Sequence, residues 1–183
     1  MTSIDRPAAI RAATRALVAE NGFHGTSMSE IARRAGVATG TAYVHYASKD
    51  RLLIDAYLEL KRELGAAGID AVDPASPPAE RFAQLWHAVR AFLEDDPDRA
   101  AFLVQFDASP YAAEGHRLAL EVLDDPLVLE AGRPDLTELL VDLPPLVLYD
   151  LALGPLVRAV ALGTTLDDAT ALRLRAASWR AIT

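Results

Sequence analysis

The sequence predicts an all-α protein, and three observations lead to this fold class. Alanine and leucine dominate the chain, the alternation of apolar and polar residues that is typical of strands is absent, and apolar residues recur at helical spacing. The 183 residues, 51% of them hydrophobic, suffice for one domain or two small ones with a buried core. Prolines and glycines then mark where the helices begin and end.

Two helices are predicted before the first glycine turn. The first covers residues 6–20, with Asp5 as its N-cap and Gly22 at its end. The second begins at Ser27. Glu30 follows three residues later, and this spacing predicts a capping box, in which each side chain bonds the backbone amide of the other residue.

A short turn over residues 36–38 leads to a third helix, predicted from Thr39 to Tyr46. Two short helices joined by such a turn form a helix-turn-helix, in which the second helix is free to enter a major groove of DNA. Small residues at the crossing agree with this layout, and we expect Phe23 and Val37 to fill the small core. A fourth helix is predicted over residues 48–64.

The region after the fourth helix is predicted as a loop, residues 65–79, because its glycines and prolines disfavour helix. We expect an N-terminal domain over residues 1–47 and a helical C-terminal domain over residues 48–183, with helix 48–64 as the linker. Further helices are predicted over residues 79–95, 97–107, 112–124, 135–141, 145–163 and 167–181.

Charge is distributed unevenly along the chain. The net charge is −8, yet residues 1–62 contain nine basic and six acidic residues, a net +3, which leaves −11 for the remainder. Only the N-terminal part is therefore suited to lie against the phosphates of DNA.

Several other classes of protein receive no support from the sequence. Cysteine is absent, which excludes disulfides and thiolate metal sites and fits a reducing cytosol. No signal peptide and no apolar stretch of about 18 residues is found, so we expect a cytoplasmic protein without membrane contact. His116 with Glu114 and Glu121 lacks metal-ligand spacing. We therefore expect no metal, no cofactor, no catalytic residue and no enzymatic activity.

The third helix has an uncharged polar surface. Thr39, Thr41, Tyr43 and His45 can bond phosphates or base edges, and Val44 can contact a thymine methyl group. Gly40 allows the backbone to approach DNA closely. Lys49 can pair with a phosphate, and the amides that begin the second and fourth helices can add donors.

In this region the sequence resembles the TetR family of transcriptional regulators over residues 8–58. The matching elements are Gly22-Phe23, Thr26-Ser27, Ile31-Ala32, Ala35-Gly36-Val37, Gly40, Tyr43, His45, Lys49 and Leu52-Leu53. Tyr46 stands where the family usually has phenylalanine, and Ala38 where it often has serine. By this resemblance, the DNA-contact candidates are Thr26, Ser27, Thr39, Gly40, Thr41, Tyr43, Val44, His45 and Lys49.

The resemblance also implies a homodimer that binds a palindromic operator in double-stranded DNA. The last two long helices of each subunit are expected to pair in a four-helix bundle, and most such proteins are repressors that a small molecule releases. The final helix, which ends at Thr183, is short for the family, as expected of a trimmed chain.

Two histidines and two tyrosines of the N-terminal part are expected to differ in role. We expect Tyr46 inside and Tyr43 at the DNA. His24, in the loop before the second helix, is more typical of an ordinary surface residue, whereas His45 is favoured for phosphate contact by its position in the motif.

The C-terminal part contains most of the aromatic residues, which favours a core and is compatible with an apolar cavity between helices. A small apolar or amphipathic effector is the expected ligand. The candidate ligand-binding residues are Phe82, Trp86, Phe102, Phe106, Tyr149 and Asp150. Asp150 and Arg158 lie two turns apart on one face. They could form an ion pair, meet across a dimer axis or orient a ligand, and the structural roles are favoured.

Three alternatives remain open at the level of sequence. The first is a DNA-binding regulator without an effector, which a body lacking a cavity would favour. The second is a small helical enzyme, which would require convergent acids, bases or metal ligands. The third is a dimeric scaffold with a helix-turn-helix that has lost its DNA contact, which salt-dependent binding to a palindrome would exclude.

Overall fold

The computed structural model describes residues 5–121 and 126–183, and within these ranges the chain forms α-helices and no strand. The all-α prediction is confirmed. The helices are α1 (Arg6–Asn21), α2 (Met28–Arg34), α3 (Thr39–His45), α4 (Lys49–Ile69), α5 (Pro78–Asp95), α6 (Pro97–Asp107), α7 (Ala112–Glu121), α8 (Pro126–Ala131), α9 (Pro134–Thr137), α10 (Pro145–Ala161) and α11 (Asp168–Ile182).

Helices α1 to α3 enclose a small core of their own, which the first residues of α4 complete. Its buried members are Ile10, Ala13, Leu17, Met28, Ile31, Ala32, Ala42, Tyr46 and Leu52. Val37 packs against this core as predicted. Phe23 does not: it packs against the larger core of the body and lies 5.3 Å from Tyr111, measured between ring centroids. We refer below to residues 5–47 as the head and to the remaining residues as the body.

Helix α4 extends further than predicted, because residues 65–69 are helical and not a loop. The glycines in this stretch serve close packing. A Cβ atom on Gly68 would lie 3.2 Å from Cγ2 of Val89 and 3.3 Å from Cγ of Leu85. The absence of a side chain thus allows α4 and α5 to approach each other, and α4 becomes a long element shared by the head and the body.

The body is built around α4, α5, α6 and α10, with Trp86, Phe102 and Phe106 among its fully buried side chains. Helix α6 packs against α10 and also against α1 of the head. Helices α10 and α11 pack against each other. The end of α6 therefore lies between the interior of the body and the head.

The region between α7 and α10 departs from the prediction. Helix α8 was not predicted, and of residues 135–141 only the part within α9 is helical. The amide of Val141 donates instead to the carbonyl of Ile182 at 2.9 Å, which ties this segment to the end of α11. Buried Arg81 of α5 bonds Glu130 and Asp135, so ion pairs hold α8 and α9 in place. Residues 122–124 of the helix predicted over 112–124 lie outside the described residues.

No helix in the described part of the chain combines the length and the apolar character needed to cross a membrane. Nor do His, Asp and Glu side chains gather there in groups of three or more that could hold a metal ion.

Candidate DNA interface and ligand cavity

The outer face of α3 projects from the head. Val44 is 82% exposed and Tyr43 52% exposed, whereas Ala42 is fully buried beneath them. Thr39, Gly40 and His45 are also exposed, and Thr41 is half-buried. Six of the nine DNA-contact candidates thus lie together on one short helix, and their side chains carry hydroxyl, imidazole and apolar groups.

Tyr46 holds this helix in place from below. Its side chain is buried, and its hydroxyl accepts a hydrogen bond from Nη1 of Arg11 at 2.7 Å and donates to the carbonyl of Pro7 at 3.3 Å. Burial raises the pKa of Tyr46, so the hydroxyl keeps its proton. The prediction that Tyr46 faces inward is confirmed, and Tyr43 is exposed on the outer face, where its contact with DNA stays a prediction.

The turn between α2 and α3 depends on one glycine. Gly36 has a φ of 70°, in the left-handed region that other residues rarely adopt. The amide of Val37 donates to the carbonyl of Ala32 at 2.9 Å and so closes the turn. A residue with a side chain at position 36 would strain this turn and shift α3 relative to α2.

The predicted capping box is present at the start of α2. Glu30 accepts from the amide of Ser27 at 2.9 Å and from its hydroxyl at 2.6 Å, and the Ser27 hydroxyl also accepts from the amide of Glu30. These hydrogen bonds lower the pKa of Glu30. Ser27 is exposed, but its amide is already bonded to a carboxylate and is not a free donor for phosphate.

Two of the DNA-contact candidates have structural roles, which corrects the prediction for them. Thr26 is buried, and its hydroxyl donates to the carbonyl of Gly22 at 3.0 Å. The ammonium of Lys49 donates to the carbonyls of Phe23 and Thr26 at 3.1 and 2.9 Å and lies 4.4 Å from the Phe23 ring centroid. The Thr26 hydroxyl thus closes the loop between α1 and α2 on itself, and Lys49 holds this loop against the start of α4.

Most basic side chains of the head and of the first half of α4 are paired with acids. Arg11 and Arg15 of α1 both bond Glu59 of α4, and Arg15 also reaches Glu63. Arg34 pairs with Glu20, and Arg51 with Asp55. Arg11, Arg15 and Arg34 therefore join different helices through their acidic partners, whereas the Arg51–Asp55 pair lies within α4.

The head meets the body at Phe23. The Phe23 ring packs against Tyr111, whose hydroxyl bonds Asp50, and this hydrogen bond is the main cause of the raised pKa of Tyr111. A small cavity of about 240 Å³ lies at this junction. Its lining residues come from the end of α1, the following loop and the end of α6: Asn21, Gly22, Phe23, His24, Gln105, Ala108, Ser109 and Pro110.

A second cavity, of about 420 Å³, lies inside the body between α4, α6, α7 and α10. Its lining residues are Tyr57, Lys61, Leu103, Val104, Asp107, Ala108, His116, Leu146, Tyr149, Asp150, Gly154, Val157 and Arg158. We call it the body cavity. Ala108 lines both cavities, so the end of α6 separates the body cavity from the junction with the head.

Two of the six ligand-binding candidates, Tyr149 and Asp150, line the body cavity. The other four do not, which corrects the prediction for them. Phe82 packs on Trp179 with ring centroids 5.2 Å apart, and Phe106 stacks on Tyr57 at 4.0 Å. Trp86 and Phe102 are fully buried. Helical spacing alone does not separate core aromatics from those that face a cavity.

Charged groups surround the body cavity. One of them, Lys61, was not among the residues selected from the sequence. His116 and Asp107 are bonded at 2.9 Å. The pKa of Asp150 is raised mainly by partial desolvation and secondly by the nearby negative charge of Asp107. Lys61 is buried, with its ammonium 3.3 Å from the Tyr149 ring centroid. Because lysines usually lie on the surface, the sequence alone does not indicate this position.

Helices α2 and α3, with the turn between them and the exposed outer face of α3, form a helix-turn-helix. Residues 10–56 match the family model described as bacterial regulatory proteins, tetR family, and residues 77–183 match that of the tetracyclin repressor-like C-terminal domain. The chain belongs to the TetR family.

Curated relatives are named as regulators. An uncharacterized HTH-type transcriptional regulator of Haemophilus influenzae is 31% identical over 101 residues, which cover 55% of this chain and 54% of that protein. The HTH-type transcriptional repressor KstR2 of Mycolicibacterium smegmatis is 25% identical over 131 residues, 66% of this chain and 64% of that protein. The matches thus span between half and two thirds of these relatives.

Solved structures match nearly the whole chain. A putative tetR family transcription regulator from Shewanella sp. PV-4 superposes with a TM-score of 0.81 and 26% identity, covering 97% of each chain. The regulator FadR from Bacillus subtilis, solved in complex with stearoyl-CoA, superposes with a TM-score of 0.70 over 96% of this chain and 99% of that one. Its 19% identity shows the shared fold alone.

Proposed function

We propose that this protein is a dimeric transcriptional repressor, not an enzyme, that binds a palindromic operator through α3 and is released by a small amphipathic ligand in the body cavity. The observation that carries the DNA-binding part is the presentation of α3: its outer face is exposed, while Ala42 and Tyr46 fix its inner face. A protein that acts on chromosomal DNA in bacteria works in the cytoplasm.

The proposed operator contacts come from Thr39, Gly40, Thr41, Tyr43, Val44 and His45, with Ser27 at the edge of this surface. Hydroxyl and imidazole groups suit phosphates and base edges, and Val44 suits a thymine methyl group. In a symmetric dimer the two α3 helices would enter successive major grooves, roughly 34–36 Å apart.

The proposed dimer interface lies on α10 and α11. In the single subunit Val147 of α10 and Leu172 of α11 are 40% and 47% exposed, and Leu143 and Leu162, which flank α10, are 41% and 68% exposed. Exposed apolar side chains on and beside two neighbouring helices favour burial against a second copy. The proposed domain boundary lies near residue 47. It separates the part that contacts DNA from the part that dimerises and binds the ligand, and α4 links the two.

The proposed release mechanism runs through the end of α6. Asp107 and Ala108 border the body cavity, and the next residues lead to Tyr111, which contacts Phe23 and Asp50. A ligand that displaces the end of α6 would alter the contacts between the body and the loop after α1. It can shift the equilibrium between the DNA-binding and the released conformations only by its difference in affinity for the two. KstR2 is named a repressor and FadR was solved with a ligand, which supports a ligand-released repressor here.

A selection of genomic fragments by the purified protein, followed by gel-shift titration of the bound fragments, tests the DNA-binding part. The expected result is a palindromic site bound by a dimer, as judged by analytical ultracentrifugation of the complex. Binding without sequence preference, or by a monomer, would contradict the proposal.

The release mechanism is tested by Tyr111→Phe, which keeps the ring but removes the hydroxyl that bonds Asp50. We expect normal operator affinity and a weaker response to a bound ligand. Calorimetry provides the control: Tyr111→Phe should bind the ligand as tightly as the wild type does, because Tyr111 does not line the body cavity. An unchanged ligand response in Tyr111→Phe would show that the coupling takes another route.

A further inference from the structure

We propose that the body cavity recognises the anionic group of a small amphiphile, a carboxylate, through Lys61. This inference rests on the proposed function, since it names the chemical class of ligand for the proposed effector site. The residue that carries it is a lysine in an unusual position.

Lys61 lies on α4 with only 8% of its surface exposed, and it lines the cavity. Its ammonium is 3.3 Å from the ring centroid of Tyr149, and across the described part of the chain it takes part in no ion pair. An aromatic face offsets only part of the cost of removing an ammonium from water. Buried charges in proteins are normally paired or bound to a ligand.

The other charged groups of the cavity wall are more exposed than Lys61. Asp107 is exposed and bonded to His116. Asp150 and Arg158 are exposed, and the charge of Lys61 opposes the rise in the pKa of Asp150, although the two side chains form no described ion pair. The formal charges of Lys61, Arg158, Asp107 and Asp150 cancel, so net charge does not decide the sign of the ligand. Burial decides it, because Lys61 is the member of this group that water reaches least.

The remaining wall is apolar and of limited size. Leu103, Val104, Leu146 and Val157 provide a surface for a hydrocarbon chain. The volume, about 420 Å³, is at the small end of the roughly 300–1,000 Å³ typical of ligand sites. An amphiphile with one short chain and one anionic group fits these features best.

The test compares three ligands with the same hydrocarbon chain and different head charges: octanoate, octanol and protonated octylamine. Each is titrated into the full-length protein by isothermal titration calorimetry at neutral pH. We expect octanoate to bind at least about tenfold more tightly than octanol, as a charge-assisted hydrogen bond provides. Protonated octylamine should bind most weakly.

The test variant is Lys61→Met, which keeps the length of the side chain but removes the charge. We expect it to bind octanoate and octanol with nearly equal affinity. The matched control is Arg62→Met, which removes the exposed cation at the next position of α4 and should keep the preference for octanoate. Thermal unfolding of each variant checks that it is folded, and the wild-type comparison does not depend on any variant.

Three outcomes would overturn this inference. The first is equal binding of octanoate and octanol by the wild type. The second is tighter binding of protonated octylamine, which would assign recognition to the carboxylates. The third is that none of the three ligands binds. None of them bears on operator binding, which the gel shift measures without ligand. If octanoate binds through Lys61 but leaves operator affinity unchanged, the effector role fails while the recognised chemistry stands.

Discussion

Two surfaces of α1 to α4 use side-chain chemistry in opposite ways. The exposed face of α3 carries threonine, tyrosine, valine and histidine, with no lysine or arginine. The seam between α1 and α4 contains Arg11 and Arg15, which are paired with Glu59 and Glu63. Of the nine basic residues that suggest a DNA-binding region in the sequence, Arg11, Arg15, Arg34 and Lys49 thus bond groups on other helices or loops.

The contrast shows that net charge along a segment is a weak guide to which atoms contact phosphate. A cation already bonded to a carboxylate releases no DNA counterion unless that pair breaks. Specific recognition by the proposed surface must therefore depend largely on neutral hydrogen bonds and shape. Four predictions follow from this division.

The largest expected effect is the dependence of operator binding on salt. Two basic residues of the head, Arg6 and Arg33, are exposed and take part in none of the described ion pairs. Two such cations in each subunit would neutralise about four phosphates, a slope of about −4 in log affinity against log salt concentration. If all nine basic residues of residues 1–62 contacted phosphate, the slope would approach about −16. Fluorescence anisotropy across a salt series decides between them.

Loss of one side chain from α3 should have the next largest effect. Tyr43→Ala removes a half-exposed ring from the centre of the proposed surface and should weaken operator binding about 10- to 100-fold, as expected for a contact to a base or phosphate. Its unfolding temperature should be unchanged, because the ring is not part of the head core. His24→Ala, which removes an exposed ring from the loop between α1 and α2, is the control. Equal effects from both would show that α3 has no special role.

Arg11 and Arg15 form a matched pair for the seam. Both bond Glu59, but only Arg11 also bonds Tyr46 beneath α3. Arg11→Met and Arg15→Met should each destabilise the fold by about 1–3 kcal/mol, in the range for charged hydrogen bonds that are partly buried. Arg11→Met should in addition weaken operator binding several-fold, since α3 loses its anchor. Chemical denaturation and anisotropy measured on both variants separate the two effects, and equal operator affinities would exclude the anchor.

The smallest effect is expected at the capping box of α2. The bonds from Ser27 hold the pKa of Glu30 below its usual 4.5, so the ionised side chain stabilises the folded state. That stabilisation is present above pH 4.5 and is lost as the pH falls through the lower pKa of the folded state. Glu30→Gln should therefore lower the unfolding temperature by a few degrees at pH 7. The two proteins should converge as the pH falls through the folded-state pKa of Glu30, and a constant difference would indicate a neutral packing effect.

Local signals were enough to predict the head. Caps, a glycine turn and helical spacing are encoded over a few residues, so the capping box and the inward position of Tyr46 were predicted from the sequence. The role of Lys49 was not, because its partners are backbone carbonyls of a loop 23 and 26 residues earlier. Thr26 failed for a similar reason, since its burial depends on how that loop folds.

The body was predicted less well because its features depend on contacts between distant helices. Glycines after Leu64 indicated a loop, yet Gly68 is where α4 and α5 meet. The aromatic residues favoured a core and were compatible with a cavity, and four of the six ligand-binding candidates pack in the core. Lys61 could not be recognised from spacing, because its burial is set by Tyr149, 88 positions later in the chain.

The exposed cations of the head that lie outside the described ion pairs, Arg6 and Arg33, also bear on how many molecules a cell would need. Random genomic DNA binds a regulator mainly through phosphate contacts, and the genome offers millions of such competing sites. A dimer with few of these contacts would spend little time on DNA outside its target. A small number of copies could then keep an operator occupied, so the abundance of the protein can stay low.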